Sequence, residues 1–264
     1  MEDLGGVLLD IDGVLVVSWE PVPGAVGAVS RLRDAGVALR FVTNTTSRAP
    51  SEIAATLRSC GFELDDAELL TAGSATEDLL AADFAGASAL VLNDGPLELP
   101  AGMRAVSGPD AEHADVVVIG GAGESFDWPA LNTALRALLA GASLVGMHGA
   151  MAWQTDRGAC IDGGAYLRML AETAGVEPTV VGKPAPGLFE AACRSMGTDP
   201  SEALMVGDDL HSDVLAAQAL GMRGVLVRTG KFRPEVLDSA GEAPDHVIDS
   251  VAALPALLGL EGSS

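Results

Sequence analysis

The chain has 264 residues, 48% of them hydrophobic, so it can bury a large core and hold one domain with a second domain inserted. Its 37 acidic and 15 basic residues give a net charge of −22, which argues against nucleic acid and anionic membranes as partners. An anionic substrate would therefore need a concentrated local positive site, and the chain has only two lysines, Lys183 and Lys231.

The cysteines and the hydropathy pattern predict a cytoplasmic protein. Cys60, Cys160 and Cys193 are widely spaced and show no C-x-x-C or histidine pairing, which favours reduced core thiols over disulfides. The N-terminus is acidic and the apolar stretches are the length of strands, so we expect neither a signal peptide nor a transmembrane segment.

Short strands rich in Val, Leu and Ala alternate with Ala- and Leu-rich helices, and this alternation predicts an α/β fold with a doubly wound parallel sheet. The predicted elements of this first series are, in chain order, a strand at 5–10, a helix at 24–35, a strand at 37–42, a helix around 49–60, a strand near 179–181, a helix at 186–196, a strand at 203–206, a helix at 211–220, a strand at 223–228, and a closing strand and helix across 245–258.

A second α/β series lies inside the first. Its predicted elements are strands at 89–93, 116–120 and 143–147 and helices at about 128–140 and 163–174. We therefore predict a core domain at residues 1–74 and 178–264 and an inserted domain at 75–177.

Two carboxylates follow the first predicted strand. Asp10 and Asp12 lie on either side of its end, and Gly13 marks the turn. Ligands of open α/β sheets bind at this edge, and paired carboxylates repel unless a cation or a shared proton relieves them. In isolation the motif is also compatible with a helix-capping Asp beside a turn Asp, so the rest of the chain must decide.

Three further polar groups follow strands of the same series. Thr43 and Asn44 could form an oxyanion cradle or an ordinary helix cap. Lys183 could meet a phosphate or lie in a surface turn. The acidic group after the strand at 203–206 could be a metal site or a helix N-cap, and its members are Asp208, Asp209 and Asp213.

The four clusters together indicate a function far more specifically than any one of them does. They occur in the order Asp-x-Asp, Thr, Lys and Asp-Asp. In this the sequence resembles the haloacid dehalogenase superfamily, whose four motifs match Asp10–Val14, Thr43–Asn44, Lys183 and Gly207–Asp213. The insertion resembles the α/β (C2-type) cap of the type IIA branch. The segments Arg40–Thr46, Gly123–Phe126, Val180–Pro184 and Val227–Phe232 are most similar to the subgroup of phospholysine phosphohistidine inorganic pyrophosphate phosphatase and NagD-like proteins.

The resemblance implies a Mg²⁺-dependent phosphatase that hydrolyses a small phosphorylated metabolite through an aspartyl-phosphate. It implies Asp10 as nucleophile and Asp12 as acid/base. It assigns phosphate binding to Asp12, Gly13, Thr43, Asn44 and Lys183, the metal to Asp10, Asp12 (through its carbonyl) and Asp208, and orienting roles behind these groups to Asp209 or Asp213. It also implies a homodimer formed through the cap.

The chain departs from that subgroup in two places. Asp12 stands where its members carry Ser, and the retained carboxylate restores the acid/base group of most phosphatases in the superfamily. The cap stretch Gly146–Trp153 is poorer in basic and tyrosyl residues, so substrate preference does not transfer.

Other polar residues are expected to be structural or solvated. His148 is a weak functional candidate in the cap. Glu124 and Asp127 lie in a cap loop that could reach the active site but is expected to be solvated. Lys231 is expected to be structural, after a core strand near the C-terminal helix. Trp153 is the tryptophan expected nearest a pocket.

Two other classes stay open. One is a phosphoacceptor module, which would be about half this length without the insertion, and the other is a catalytically weak phosphate-binding protein on the same fold. Retention of Asp12 argues against the second.

Overall fold

The computed structural model describes residues 4–155 and 158–260. The described residues form these strands: β1 (Gly6–Asp10), β2 (Val16–Val17), β3 (Glu20–Pro21), β4 (Leu39–Thr43), β5 (Leu69–Thr71), β6 (Ser88–Leu92), β7 (Arg104–Ala105), β8 (Val116–Ile119), β9 (Ser143–Gly146), β10 (Ala152–Thr155), β11 (Gly158–Ile161), β12 (Thr179–Val180), β13 (Ala203–Gly207), β14 (Arg223–Val227) and β15 (His246–Ile248). They form these helices: α1 (Ala25–Asp34), α2 (Pro50–Ser59), α3 (Ala72–Asp83), α4 (Trp128–Leu139), α5 (Gly163–Ala174), α6 (Pro186–Met196), α7 (Ala216–Ala219), α8 (Pro234–Ser239) and α9 (Leu254–Leu257).

Shorter helical turns complete the fold. The 3₁₀ turns are Asp66–Glu68, Gly108–His113, Pro200–Glu202 and Val251–Ala253, and a π-helical turn spans Leu210–Leu215. The chain divides into two compact units, the first at 1–43, 50–70 and 186–264 and the second at 44–49 and 71–185.

The first unit is built on a sheet whose described strands have the order β15-β14-β13-β1-β4-β5. Strand β1 pairs in parallel with both β4 and β13, and β14 and β15 continue the parallel pairing outward. From β1 the chain first builds the sheet toward β4 and later toward β13. The switch point therefore lies between β1 and β13, where ligands of such sheets bind.

The burial of β1 agrees with its central place in the sheet. All five of its residues are buried, as expected for a strand covered on both faces. On one face Val7 and Leu9 join a core cluster with Val29 and Leu32 of α1 and with Leu254 at the start of α9. Helix α6 also contacts β1.

The second unit has its own parallel sheet, with the order β12-β9-β8-β6-β7 among its described strands. A core cluster joins Val117 and Ile119 of this sheet to Ala134 and Leu138 of α4 and to Leu167 of α5. Strands β10 and β11 form an antiparallel hairpin.

The predicted fold class is confirmed, and most predicted elements differ from the structure by only one or two residues at their ends. The strand predicted near 179–181 is an exception, because β12 pairs with β9 in the second sheet and not with the first. The predicted helix at 211–220 is a π-helical turn followed by the short α7. Strand β5, helix α3 and the hairpin β10–β11 are found where no element is predicted.

Two other expectations can be compared with the structure. The expectation of core thiols holds for Cys193, which is buried, but is wrong for Cys160, which is exposed on β11. Within the described residues, every helix is too short or too polar to cross a bilayer.

Candidate active site

Asp10 ends β1 at the switch point of the first sheet and is only 4% exposed. The loop that follows is tight, because the carbonyl of Ile11 accepts hydrogen bonds from the N–H groups of Leu15 (3.0 Å) and Val16 (3.1 Å). The Gly13 N–H donates to the Val16 carbonyl (2.7 Å), and the half-buried Asp12 lies in this loop.

Asp208 follows β13, the strand beside β1, and is 1% exposed. The backbone N–H of Lys231 donates to Asp208 Oδ2 at 2.7 Å. The other oxygen, Oδ1, is buried and has no hydrogen-bond partner within the described part of the chain. A buried carboxylate oxygen without a donor is costly unless another ligand is meant to satisfy it.

Three buried carboxylates meet at this edge of the sheet. Oxygen atoms of Asp10, Asp208 and Asp213 all lie within 4.8 Å of one another. Burial, together with the nearby charges of Asp10 and Asp213, raises the pKa of Asp208 to about 8, although the Lys231 N–H and charge oppose the rise. Crowded carboxylates of this kind accept a proton or bind a cation. Their oxygen-only donor set suits a hard divalent ion such as Mg²⁺.

Asp209 and Asp213, which the sequence could not distinguish, have different places. Asp209 caps the helical turn after β13, because its Oδ1 accepts the N–H groups of His211 and Ser212, each at 3.0 Å. Burial works against ionisation of Asp209, but these hydrogen bonds and the charge of Lys231 hold its pKa below the usual value. Asp213 joins the carboxylate cluster and accepts the Asp209 N–H through Oδ2 (3.1 Å).

Thr43 ends β4, on the other side of β1. Its side chain is 2% exposed, and the preceding residue, Val42, is in register with Asp10. The pairing of these strands therefore places Thr43 at the same edge of the first sheet as Asp10.

Asn44 and Lys183 belong to the second unit, where the structure brings them together. The Asn44 side-chain amide donates to the Lys183 carbonyl at 2.8 Å, and Lys183 is 3% exposed, which rules out a surface turn. Asn44 Oδ1 is buried and has no hydrogen-bond partner among the described residues. Gly182 permits this packing, since a Cβ there would lie 2.6 Å from Asn44 Oδ1.

Lys231 lies after β14 and before α8, as expected from the sequence, but its contact with the candidate site was not foreseen. Its backbone N–H donates to Asp208, and its charge acts on both Asp208 and Asp209. The available signal was its position, since Thr229-Gly230-Lys231 follows the carboxyl end of β14 just as the other motifs follow their strands.

Two further polar residues of the second unit, His148 and Asp127, have contacts within that unit. His148 is 4% exposed, accepts the Ala150 N–H through Nδ1 (3.2 Å), and has Nε2 3.9 Å from Asp162 Oδ1. Asp127 caps α4 by accepting the Ala130 N–H (2.8 Å). These contacts support the structural reading of His148. Asp127 is exposed at the end of the loop, and its role as the helix cap was not part of the expectation.

Trp153 and Glu124 line an open cleft of the second unit with a volume of about 650 Å³. Asp94, Cys160 and Tyr166 contribute to the same cleft. Because Trp153 lines this cleft, the expectation that it lies near a pocket is confirmed. Its side chain is 51% exposed.

Family models and solved structures match this geometry. The model described as haloacid dehalogenase-like hydrolase matches residues 7–101, and a related model for HAD-like hydrolases matches residues 180–254. The p-nitrophenyl phosphatase from Archaeoglobus fulgidus has a similar structure, with a TM-score of 0.87 and 30% identity over 97% of this chain and 99% of its own.

The sequences of related proteins align with almost the whole chain. Haloacid dehalogenase-like hydrolase domain-containing protein 2 from Bos taurus is 37% identical over 94% of this chain and 96% of its own length. Phospholysine phosphohistidine inorganic pyrophosphate phosphatase from Bos taurus is 34% identical over 96% and 93%. The motifs, the fold and these matches lead to one conclusion: the chain belongs to the haloacid dehalogenase-like hydrolase family and is an enzyme of its phosphatase type.

Proposed function

We propose that the protein is a Mg²⁺-dependent phosphatase that hydrolyses a small phosphomonoester through an aspartyl-phosphate on Asp10. The observation that carries the proposal is the buried cluster of Asp10, Asp208 and Asp213, with oxygen atoms within 4.8 Å of one another at the switch point of the sheet. Few structural roles require three mutually repelling carboxylates in one buried place.

The residues at this edge fit a bound Mg²⁺. Carboxylate oxygens of Asp10 and Asp208 and the backbone carbonyl of Asp12 would hold it, and Asp213 is close enough to bind it directly or through a water. When bound, the ion would neutralise the repulsion between these carboxylates and the incoming phosphate.

Asp10 and Asp12 would share the chemistry of two steps. In the first, a carboxylate oxygen of Asp10 bonds to phosphorus, the ester P–O bond breaks, and Asp12 gives its proton to the departing oxygen. In the second, Asp12 takes a proton from water, whose oxygen bonds to phosphorus as the bond to Asp10 breaks. Inorganic phosphate leaves, and both side chains regain their initial states.

Thr43, Asn44 and Lys183 would bind the phosphate oxygens that carry negative charge in the transition state. We assign the Thr43 hydroxyl, the backbone N–H groups of Gly13 and Asn44, and the Lys183 ammonium to this task. The burial of Thr43 and Lys183 supports it, because polar interactions are stronger where water is excluded.

The substrate class is a small phosphorylated metabolite, with residues 1–74 and 178–264 acting as the catalytic core and residues 75–177 as a cap. The names of the relatives support this class, since one acts on p-nitrophenyl phosphate and another is named for phospholysine, phosphohistidine and pyrophosphate. The net charge of −22 disfavours large polyanions.

We also propose a cytoplasmic homodimer formed through the cap. The support comes from large apolar side chains outside the cleft that the second unit leaves exposed, namely Trp128, Leu139, Met151 and Met169. Apolar surface of this kind marks interaction sites when it is contiguous. Light scattering of the purified protein tests this, and a monomer at all concentrations would contradict it.

The decisive experiment is a Mg²⁺-dependent assay of phosphate release from a panel of phosphomonoesters, including p-nitrophenyl phosphate, with purified Asp10→Asn as the blank. Phosphate release above this blank that disappears with EDTA is the expected result. No release from any ester would reject the phosphatase, and stable phosphorylation of Asp10 without phosphate release would favour the phosphoacceptor alternative.

A further inference from the structure

The turn Thr229-Gly230-Lys231 connects two parts of the candidate active site within the first unit. The Thr229 hydroxyl donates to the Gly13 carbonyl, in the loop that follows β1. Two residues later, the Lys231 N–H donates to Asp208 Oδ2 at 2.7 Å. One turn of three residues therefore contacts both the loop after the nucleophile and the carboxylate after β13.

Glycine is required where this turn meets Asp208. Gly230 has φ +61°, and a Cβ there would lie 2.0 Å from Asp208 Oδ2 and 2.5 Å from Gly13 Cα. Gly13 has φ +87°, and its Cβ would lie 1.9 Å from the same carboxylate oxygen. Any side chain at either position would displace Asp208 or part the two loops, because contacts this short are not tolerated.

These contacts satisfy one oxygen of Asp208 and leave the other available. Oδ2 has the Lys231 N–H, whereas Oδ1 is buried and lacks a hydrogen-bond partner among the described residues. The carboxylate cannot relax by turning toward solvent, since the side chain is 1% exposed. The direction of Oδ1 is thus set by what holds Oδ2.

We propose that Thr229, Gly230 and Lys231 form a positioning element that fixes Asp208 by Oδ2 and the Gly13 loop by its carbonyl, so that Asp208 Oδ1 is presented to the metal ion. This inference rests on the proposed function, in which Asp208 is a Mg²⁺ ligand. The three residues act through Asp208 and Gly13 and need not touch the substrate. The positive charge of Lys231 also offsets part of the repulsion within the carboxylate cluster.

The test is the affinity of the full-length protein for Mg²⁺, measured by isothermal titration calorimetry without substrate. Gly230→Ala should raise the Mg²⁺ dissociation constant by about 10- to 100-fold, the usual effect of losing a group that orients a metal ligand. Gly197→Ala is the matched control, because Gly197 has a similar φ of +67° in the same unit but nothing within 4 Å of its Cβ position. Gly197→Ala should keep the wild-type affinity and lose only the stability that its positive φ costs, whereas Gly230→Ala should lose more stability in EDTA because of its close contacts.

A second pair of variants tests the hydroxyl and does not depend on the folding of Gly230→Ala. Thr229→Val should weaken Mg²⁺ binding by about tenfold, whereas Thr229→Ser, which keeps the hydroxyl, should restore it. In the phosphatase assay, excess Mg²⁺ should recover the kcat of Thr229→Val, which a loss of folding would not allow.

Two results would overturn the inference, and they differ. In the first, the wild type binds Mg²⁺, and Gly230→Ala and Thr229→Val bind it as tightly as the wild type does, or Gly197→Ala loses as much Mg²⁺ affinity as Gly230→Ala. The positioning element is then rejected, and the proposed function stands. If the wild type itself binds no Mg²⁺, both are rejected.

Discussion

Each unit has a group of acidic residues, and the two groups have opposite surroundings. In the first unit Asp10, Asp208 and Asp213 are at most 4% exposed and share one buried space at the end of parallel strands. In the second unit Asp94 and Glu124 are exposed and line an open cleft beside Trp153.

This contrast separates two kinds of acidic site. Exposed carboxylates are solvated, and their charge costs the fold little. Buried carboxylates that repel one another cost stability in the folded state, so their presence points to chemistry performed there. In our proposal the buried cluster of the first unit therefore supplies the nucleophile and the metal ligands, and Trp153→Ala tests whether the open cleft of the second unit contacts a substrate.

Asp10→Asn should produce the largest loss and shows whether the buried cluster is the reacting site. We expect turnover to fall by at least about 10³-fold, because the amide cannot act as the nucleophile. The measurement is phosphate release from p-nitrophenyl phosphate. Asp12→Asn is the control for metal binding, since its metal contact would be through the backbone, and it should keep the Mg²⁺ affinity while losing turnover. Activity of Asp10→Asn at the wild-type level would reject the assignment.

Lys183→Ala tests the buried cation of the second unit. Its ammonium is expected to stabilise charge on the phosphate in the transition state, so kcat/KM should fall by about 10²-fold or more. The matched control is Arg168→Ala, which removes an exposed positive charge from the same unit, one that forms an ion pair with Glu172. If Lys183→Ala stayed nearly as active as Arg168→Ala, the phosphate-binding role would be wrong.

Metal removal and pH should reveal the strain in the buried cluster. In the metal-free fold the pKa of Asp208 is raised from 3.8 to about 8 by burial and by its acidic neighbours. The folded state thus binds this proton more tightly than the unfolded state, so the resulting stability is present at low pH and is lost as the pH rises through about 8.

The measurement is urea unfolding in EDTA between the usual pKa of 3.8 and the raised pKa of about 8. We expect the free energy of unfolding to decrease as the pH rises, and added Mg²⁺ to restore it at the alkaline end. In Asp208→Asn the decrease should be smaller. A wild-type protein whose metal-free stability rises toward pH 8 would contradict the electrostatic account.

Trp153→Ala should have the smallest effect on the fold, because the side chain is 51% exposed. We expect the free energy of unfolding to change by no more than about 0.5 kcal/mol, as is usual for surface positions, and Mg²⁺ affinity to stay unchanged. The ranking of substrates in the phosphomonoester panel should shift.

Phe189→Ala is the contrasting control for stability, since Phe189 is fully buried in α6 and its loss should cost about 3–5 kcal/mol. An unchanged substrate ranking in Trp153→Ala would argue that the cleft does not contact substrate.

Local patterns were sufficient to predict the positions of most helices and strands. Strand β1 is a continuous apolar run, and α6 follows directly from its sequence at 186–196. The hairpin β10–β11 was missed because exposed strands lack a strong apolar pattern. Sheet membership was also beyond reach for β12, whose two residues join the second sheet only through pairing with Val145 and Gly146.

The sequence by itself determined the chemistry that is available: carboxylates, a threonine and a lysine placed after strands, in the order of a known family. Only the tertiary structure decided which carboxylates meet. The π-helical turn after β13 brings Asp213 back to the Asp209 N–H and into the cluster, while Asp209 becomes a helix cap. The tertiary structure also brings Thr229 to Gly13, which is 216 residues away in the chain, and Lys231 to Asp208, which is 23 residues away. Distances between such remote groups depend on strand order and on close packing, which no local pattern of residues encodes.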